Sequence, residues 1–160
     1  MTIRPATRED EQALRALDDA TWSPDVSPAP RTWREDRSFF GPDDDPREVL
    51  VAEVDGEVAG YIKLRNPTEL ESNQHVLAIL GLAVDPAHQR QGIARALLDA
   101  AASEASARGA RRLTLRVLGP NSGARALYEA CGFEVEGVLR EEFFLDGRYV
   151  DDVQMARRLA

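Results

Sequence analysis

One segment organises this chain: Leu82-Ala83-Val84-Asp85-Pro86-Ala87-His88-Gln89-Arg90-Gln91-Gly92-Ile93-Ala94-Arg95-Ala96-Leu97-Leu98. Residues 76–84 are almost wholly apolar, which is typical of a strand buried on both faces. After Gly92, apolar residues recur at helical spacing and predict an α-helix. A helix N-terminus carries unpaired N–H groups and a partial positive charge, and a glycine there lets a ligand approach the backbone. The turn therefore predicts an anion-binding site, and the alternative is a simple left-handed turn at a helix start that binds no ligand.

Two motifs carry a resemblance to a known family. Gln89, Gly92 and Ala94 follow the order Gln-x-x-Gly-x-Ala after a strand that ends in Val-Asp-Pro. The second motif is Asn121-Ser122-Gly123-Ala124-Arg125-Ala126-Leu127-Tyr128-Glu129-Ala130-Cys131-Gly132-Phe133. The first resembles the acetyl-CoA pyrophosphate loop of the GNAT superfamily of N-acetyltransferases, and the second resembles that family's second cofactor motif. The resemblance covers nearly the whole chain and is weakest over residues 22–46.

The resemblance implies a fold, a cosubstrate and site residues. The implied fold is one α/β (α+β) acetyltransferase domain over residues 1–160, with a mixed, mostly antiparallel central sheet, a splayed strand pair and helices on both faces. The implied cosubstrate is acetyl-CoA. The implied cofactor contacts come from the strand, the loop and the second motif: Leu82, Ala83, Val84, Gln89, Arg90, Gln91, Gly92, Ile93, Ala94 and Asn121.

Tyr128 is the predicted catalytic residue. It lies seven residues after Asn121, which on an α-helix is ~700°, so both side chains point to one side. Attack of an amine on a thioester expels a thiolate, and a hydroxyl with an ordinary pKa of ~10 is a reasonable acid for a thiolate of pKa ~8.5. The alternative is an ordinary half-buried aromatic two turns after an asparagine that only caps the helix.

The composition bounds the class of protein. A chain of 160 residues with 43% apolar and 30% charged residues suits one soluble domain. No apolar run approaches the ~20 residues that cross a bilayer, and the N-terminus lacks a signal-peptide pattern, so we expect a cytoplasmic protein without a membrane partner. The net charge of −8 argues against nucleic acid as the partner. One cysteine and two histidines give no metal-ligand spacing, so neither a metal nor an internal disulfide is expected.

The rest of the chain alternates strand and helix patterns. Strands are expected over residues 2–6, 49–54, 58–64, 75–84, 112–117, 135–144 and 149–156, with Asp-Gly turns closing two hairpins. Thr7 and Asp10 resemble a capping box before a first helix. Residues 23–30 break the chain, residues 31–40 are expected to form a second short helix, and residues 41–46 form a loop. We expect this region to cap the substrate cleft.

The strand over residues 75–84 leaves two questions open. Gly81 marks either a bulge or close backbone approach, or packing against a bulky neighbour. In the family, this strand parts from the next parallel strand and often carries a glutamate that acts as general base. Residues 76–84 contain no acidic residue. Glu69, Glu71 and His75 lie upstream, but a solvated position in the loop or at the strand start is the simpler interpretation of each.

The closing hairpin resembles branches of the family that acetylate amino acids, polyamines, phosphinothricin-like compounds or ribosomal-protein N-termini. In those branches the hairpin borders the acceptor site and often a homodimer interface. Residues of this hairpin are therefore either acceptor contacts or ordinary outward-facing residues: Arg140, Glu141, Tyr149, Asp151 and Asp152.

These patterns predict acetyl-CoA-dependent N-acetylation of a primary amine, in a small molecule or at a protein N-terminus, by direct attack in a ternary complex. Cys131 is expected to be a packing residue rather than a nucleophile. A non-catalytic acyl-CoA-binding sensor is the main alternative, because the central strand lacks the usual acid. A nucleotide-binding domain is disfavoured, since the chain has neither Gly-x-x-x-x-Gly-Lys-Ser/Thr nor Gly-x-Gly-x-x-Gly.

Overall fold

The computed structural model of the chain describes residues 1–30 and 38–160. The strands are β1 (Thr2–Pro5), β2 (Val49–Val54), β3 (Glu57–Arg65), β4 (Val76–Val84), β5 (Arg112–Leu118), β6 (Glu134–Leu145) and β7 (Arg148–Arg158). The α-helices within the described ranges are α1 (Glu11–Thr21), α2 (Ile93–Ala107) and α3 (Ser122–Ala130), and none of them has the length and apolar character needed to cross a bilayer. The helix predicted over residues 31–40 falls largely outside the described residues, and residues 38–40 are not helical.

These strands form one sheet in the order β1-β2-β3-β4-β5-β7-β6. Neighbours are antiparallel except β4 and β5, which run parallel. Both predicted hairpins are present, and their Asp-Gly turns have positive φ at Asp55, Gly56, Asp146 and Gly147, as tight hairpin turns require. The prediction of a mixed, mostly antiparallel sheet is confirmed.

Helices cover both faces of the sheet, as predicted. On one face, α1 buries Leu14 and Leu17 with Val51 of β2. The next residue of β2, Ala52, points to the opposite face because strand side chains alternate, and it is buried in the same cluster as Leu97 of α2. Before α1, the Asp10 carboxylate accepts the Thr7 N–H at 2.8 Å, so the predicted cap is present, with a short 3-10 turn (Arg8–Asp10) between it and the helix.

The parallel strands β4 and β5 pair for only part of their length. Their register runs from Val76 with Arg112 to Ile79 with Leu115 and ends there. Leu80 then forms a β-bulge, because it has no partner in the ladder with β3. Strand β5, in contrast, stays paired with β7 as far as Leu118. The two strands part beyond this bulge, which confirms the splayed pair and opens a cleft between their C-terminal halves.

Gly81 lies directly after this bulge and faces the ring of Tyr61. A Cβ atom on Gly81 would lie 3.2 Å from both Cε2 and the hydroxyl oxygen of Tyr61. Both interpretations of this glycine are therefore correct, because it adjoins a bulge and packs against a bulky neighbour.

Candidate functional site

A cavity of about 830 Å³, which we call the strand cleft, occupies the gap between β4 and β5. Its walls also include the start of α2, one side of α3 and residues after α1. Gln91 is exposed and does not line it. All the other predicted site residues do: Leu82, Ala83, Val84, Gln89, Arg90, Gly92, Ile93, Ala94, Asn121 and Tyr128.

The loop before α2 brings an uncapped helix N-terminus to the wall of the strand cleft. Arg90 and Gly92 have positive φ of 61° and 83°, and Gly92 is the N-cap of α2 without a side-chain cap. A Cβ atom on Gly92 would meet nothing within 4 Å, so the backbone faces open space. The Gln89 side chain donates to the Val84 carbonyl at 3.2 Å and ties the loop to the end of β4. Uncapped N–H groups at the positive end of a helix dipole favour an anion.

The main chain of β4 also presents polar groups to the strand cleft. Just past the strand, the Asp85 N–H donates to the Ala59 carbonyl of β3 at 2.8 Å. Because main-chain groups of a strand alternate in direction, Leu82 and Val84 direct theirs away from β3, to the edge where β5 no longer pairs. The Val84 carbonyl is engaged by Gln89. The main-chain groups of Leu82 are therefore aimed into the cleft.

The helix α3 forms the opposite wall. Asn121 is its N-cap, and its side-chain oxygen accepts the Ala124 N–H at 3.2 Å. Tyr128 lies two turns further on and lines the same cleft. Asn121 therefore caps α3, and both Asn121 and Tyr128 also line the strand cleft.

Tyr128 is a buried hydroxyl at the edge of this cleft. The residue is 9% exposed, and its ring packs edge-on against Phe133 with centroids 5.9 Å apart. Burial raises the pKa of the Tyr128 hydroxyl to about 12, since desolvation disfavours the phenolate. The hydroxyl is protonated at neutral pH and available as a hydrogen-bond donor.

A second cavity of about 730 Å³, which we call the side cavity, adjoins the strand cleft. Its walls come from α1, residues 38–44, β3 and the bulge of β4. Asp18, Tyr61, Leu80 and Gly81 line both cavities. The two spaces therefore meet at the bulge, where the main chain of β4 turns into the strand cleft.

The region expected to cap the substrate cleft contributes to both cavities. Val26 and Ser27 line the strand cleft, and Phe39 and Phe40 line the side cavity. The Glu11 carboxylate accepts the N–H groups of Phe39 and Phe40 at 2.6 and 3.0 Å, which fixes these aromatics against α1.

Other candidate residues lie away from both cavities. Glu69, Glu71 and His75 are exposed and line neither, in agreement with their simpler interpretation. In the closing hairpin, the acceptor candidates that are exposed and line neither cavity are Arg140, Glu141 and Tyr149. Asp151 accepts the Glu141 N–H at 2.9 Å. Asp152 is the carboxylate that points inward, 3% exposed and paired with Arg116 at 2.5 Å.

Cys131 lies in the core rather than in the strand cleft, as a packing residue should. Cys131 is buried in the main hydrophobic core, and burial raises the pKa of its thiol, so it has little thiolate character. No group of three or more His, Cys, Asp or Glu side chains among residues 1–30 and 38–160 has a metal-binding arrangement.

Asp18 and Tyr61 are two polar residues of the cavity walls that the sequence does not reveal. Asp18 directly follows the apolar stripe of α1, where a carboxylate is ordinarily a solvated helix residue. Tyr61 sits in an apolar strand, where an aromatic is ordinarily a core residue. Only the fold brings them together, with the Tyr61 hydroxyl donating a short hydrogen bond to the Asp18 carboxylate.

Residues 12–133 match the model of the acetyltransferase (GNAT) family. The spermidine N(1)-acetyltransferase of Vibrio cholerae is 34% identical over 115 residues, which are 71% of this chain and 64% of that protein. The ribosomal-protein bS18-alanine N-acetyltransferase of Escherichia coli is 43% identical over 72 residues, 44% of this chain and 48% of that protein. The match thus spans less than two thirds of either relative.

The fold has solved counterparts as well. The crystal structure of a ribosomal-protein-alanine N-acetyltransferase from Brucella melitensis has a TM-score of 0.76 and 27% identity, with 99% of this chain and 100% of that chain covered.

Proposed function

Because the chain belongs to the acetyltransferase (GNAT) family, we propose that it transfers the acetyl group of acetyl-CoA to a primary amine, as one acetyltransferase domain over residues 1–160. One observation carries the proposal: the strand cleft joins an uncapped helix N-terminus to a strand edge left unpaired by β5. An anion fits the helix N-terminus, and an extended chain that contains amides fits the unpaired strand edge.

Each part of the strand cleft has a proposed role. The pyrophosphate binds the main-chain N–H groups of the loop and of the first turn of α2, from Gln89 to Ala94, with the Arg90 side chain in a secondary role. The amides of the pantetheine arm pair with the Leu82 carbonyl and the Val84 N–H, while Ala83 lines the wall. Asn121 borders the same arm from α3. Gln91 contributes only through its backbone N–H, because its side chain does not line the cleft.

The proposed transfer has no covalent enzyme intermediate. The acceptor ammonium first releases one proton to water. The amine lone pair forms the C–N bond, the C–S bond breaks, and its electron pair leaves on sulfur. The nitrogen gives up a second proton and the sulfur gains one, so the products are the N-acetyl amine, CoA and one proton. The Leu82 N–H is suited to polarise the thioester carbonyl, because a fixed donor stabilises developing negative charge.

Tyr128 is the proposed donor to sulfur. Its hydroxyl is protonated, with a pKa of about 12, well above the ~8.5 of an ordinary thiol. The same burial also disfavours a thiolate in the cleft and so raises the sulfur's affinity for a proton. The hydroxyl therefore stabilises the leaving sulfur by a hydrogen bond, along which the proton passes, and the phenolate left on Tyr128 then takes a proton back from water.

The acceptor is a primary amine of a small molecule or of a protein N-terminus. The similar proteins bear names that include spermidine, the alanine of ribosomal protein bS18 and, in another Escherichia coli relative, an L-amino acid. Spermidine, free L-amino acids and peptides that begin with alanine are accordingly the first compounds to screen.

The proposal extends to the setting of the enzyme. We propose a cytoplasmic protein with no nucleic acid or membrane partner. The exposed apolar residues of the closing hairpin, among them Phe144 at 63% and Tyr149 at 66% exposure, support a homodimer. Sedimentation analysis of the purified protein tests the oligomeric state.

Tyr128→Phe tests the chemistry, with Tyr149→Phe as the matched control. We expect the first substitution to lower turnover about 10²-fold, in the range of general acid catalysis, while acetyl-CoA affinity stays unchanged. The second removes the hydroxyl of an exposed tyrosine that lines neither cavity, and turnover should not change. Mass spectrometry of the products formed from spermidine, L-amino acids and peptides that begin with alanine gives the turnover rates. Equal turnover in all three proteins removes Tyr128 from the mechanism, and acetyl-CoA binding without any product supports a sensor.

A further inference from the structure

The proposed transfer needs a group that receives the acceptor nitrogen, and β4 offers no acidic side chain for it. We propose that Asp18 of α1, held by Tyr61, receives the acceptor ammonium at the junction of the two cavities and takes a proton from its nitrogen during transfer. This inference rests on the proposed function and deepens it.

Location is the first argument. Asp18 and Tyr61 are the polar side chains among the residues that line both the strand cleft and the side cavity. An acyl group at the end of a chain lying along β4 would reach the bulge from one side, and an amine in the side cavity would reach it from the other. A carboxylate at that meeting point contacts the nitrogen of the acceptor.

Rigidity is the second argument. Tyr61 is 5% exposed, and its ring is fixed by Gly81 on one side and by Phe39, edge-on with centroids 5.0 Å apart, on another. Its hydroxyl donates to Oδ1 of Asp18. A carboxylate accepts several hydrogen bonds, so an ammonium can bind the same group at a defined place. Tyr61 is thus a positioning residue for Asp18.

Chemistry is the third argument. An ammonium beside a carboxylate forms a charge-assisted hydrogen bond, which orients the nitrogen before attack. A carboxylate is too weak a base to deprotonate a free ammonium fully, because ordinary pKa values of about 4 and 10 separate them. Once the C–N bond forms, the nitrogen becomes strongly acidic and its remaining excess proton passes to Asp18. Asp18 then returns that proton to water, and the atoms and charges balance as written above.

Two CoA thioethers test this assignment without a known acceptor. S-(2-aminoethyl)-CoA carries an ammonium two carbons from sulfur, close to the place of an attacking nitrogen, and S-propyl-CoA has the same size without the charge. We expect the wild-type protein to bind the first at least about tenfold more tightly, the ordinary size of a hydrogen bond to a charged group. Asp18→Asn should abolish this ratio, and Tyr61→Phe should reduce it.

Asp19→Asn is the matched control, because it removes the same charge from the next residue of α1, which lines only the side cavity. The preference for the ammonium should survive in that variant. Affinity for CoA itself and the melting temperature are measured for every variant, so that a folding defect is recognised.

The possible outcomes separate the two claims. A wild-type protein that binds CoA without preferring the ammonium, or an Asp18→Asn variant that keeps the wild-type ratio, overturns the assignment of Asp18 alone. A wild-type protein that does not bind CoA overturns the proposed function and this inference with it.

Discussion

Two glycines of the strand cleft should respond oppositely to the same added methyl group. A Cβ atom at Gly92 or at Gly123 would meet nothing within 4 Å, so neither substitution to alanine causes a clash. Gly92 has φ +83° at the N-cap of α2, whereas Gly123 lies in the first turn of α3. Their difference is therefore one of backbone conformation rather than of packing.

The magnitude follows from that conformation. An alanine in the left-handed region costs about 1–2 kcal/mol. Replacing either glycine also restricts the unfolded chain, which stabilises each variant by about 0.4–1 kcal/mol and cancels when the two are compared. We expect the free energy of unfolding of Gly123→Ala to exceed that of Gly92→Ala by about 1–2 kcal/mol, with the wild-type protein between them.

Urea unfolding followed by circular dichroism measures this difference, provided that the denaturant slopes of the two variants agree. Gly92→Ala should also weaken acetyl-CoA binding, because relief of the strain turns the loop N–H groups away from the cleft. Equal free energies of unfolding for the two variants would refute a left-handed Gly92, and with it the geometry of the anion site.

Two further substitutions test the side cavity and the route of transfer. The Gly41 N–H, Arg65 and Lys63 lower the pKa of Asp44 to about 2. Because solvent screens these partly exposed ion pairs, Asp44→Asn should destabilise the protein at pH 7 by about 1 kcal/mol, less than the full pKa shift corresponds to. A carboxylate with a lowered pKa stabilises the fold at pH values above its ordinary pKa of about 4. The difference in free energy of unfolding between the variant and the wild type, measured by urea titration, should therefore shrink as the pH falls from about 4 to about 2. A difference that does not depend on pH would contradict the ion-pair account. Cys131→Ala should keep its turnover, because direct transfer uses no enzyme thiol, and a loss of turnover in a folded variant would point to a covalent route.

The fold was largely predictable because its signals are local. Alternation, two Asp-Gly turns and an apolar strand followed by a glycine-led helix each act within a few residues, and all of them correspond to elements of the structure. Strand ends shifted by one or two residues: β1 ends at Pro5 rather than residue 6, and β7 extends to Arg158 rather than residue 156. Such ends depend on pairing with neighbouring strands, which local sequence does not specify.

The site was predictable only in part, because some of its residues meet through long-range contacts rather than through local sequence. The predicted cofactor residues of the strand cleft lie in two continuous motifs, so reading along the chain finds them. Asp18 and Tyr61 lie 43 positions apart, on a helix and a strand. Neither residue departs from what a solvated helix or a buried strand ordinarily contains, and their contact exists only after α1 packs on β3. Asp152 presents the same difficulty, since its inward direction depends on the register of β7 with β5.

Calorimetric titration of the wild-type protein with CoA and acetyl-CoA, with ATP and NAD as controls, tests the central claim most directly. We predict saturable one-to-one binding of both CoA compounds and much weaker binding of ATP and NAD, because the strand edge of the cleft recognises the pantetheine arm that these nucleotides lack. Absence of binding by CoA and acetyl-CoA, or equal binding of all four compounds, would contradict the claim that the cleft between β4 and β5 is an acetyl-CoA site.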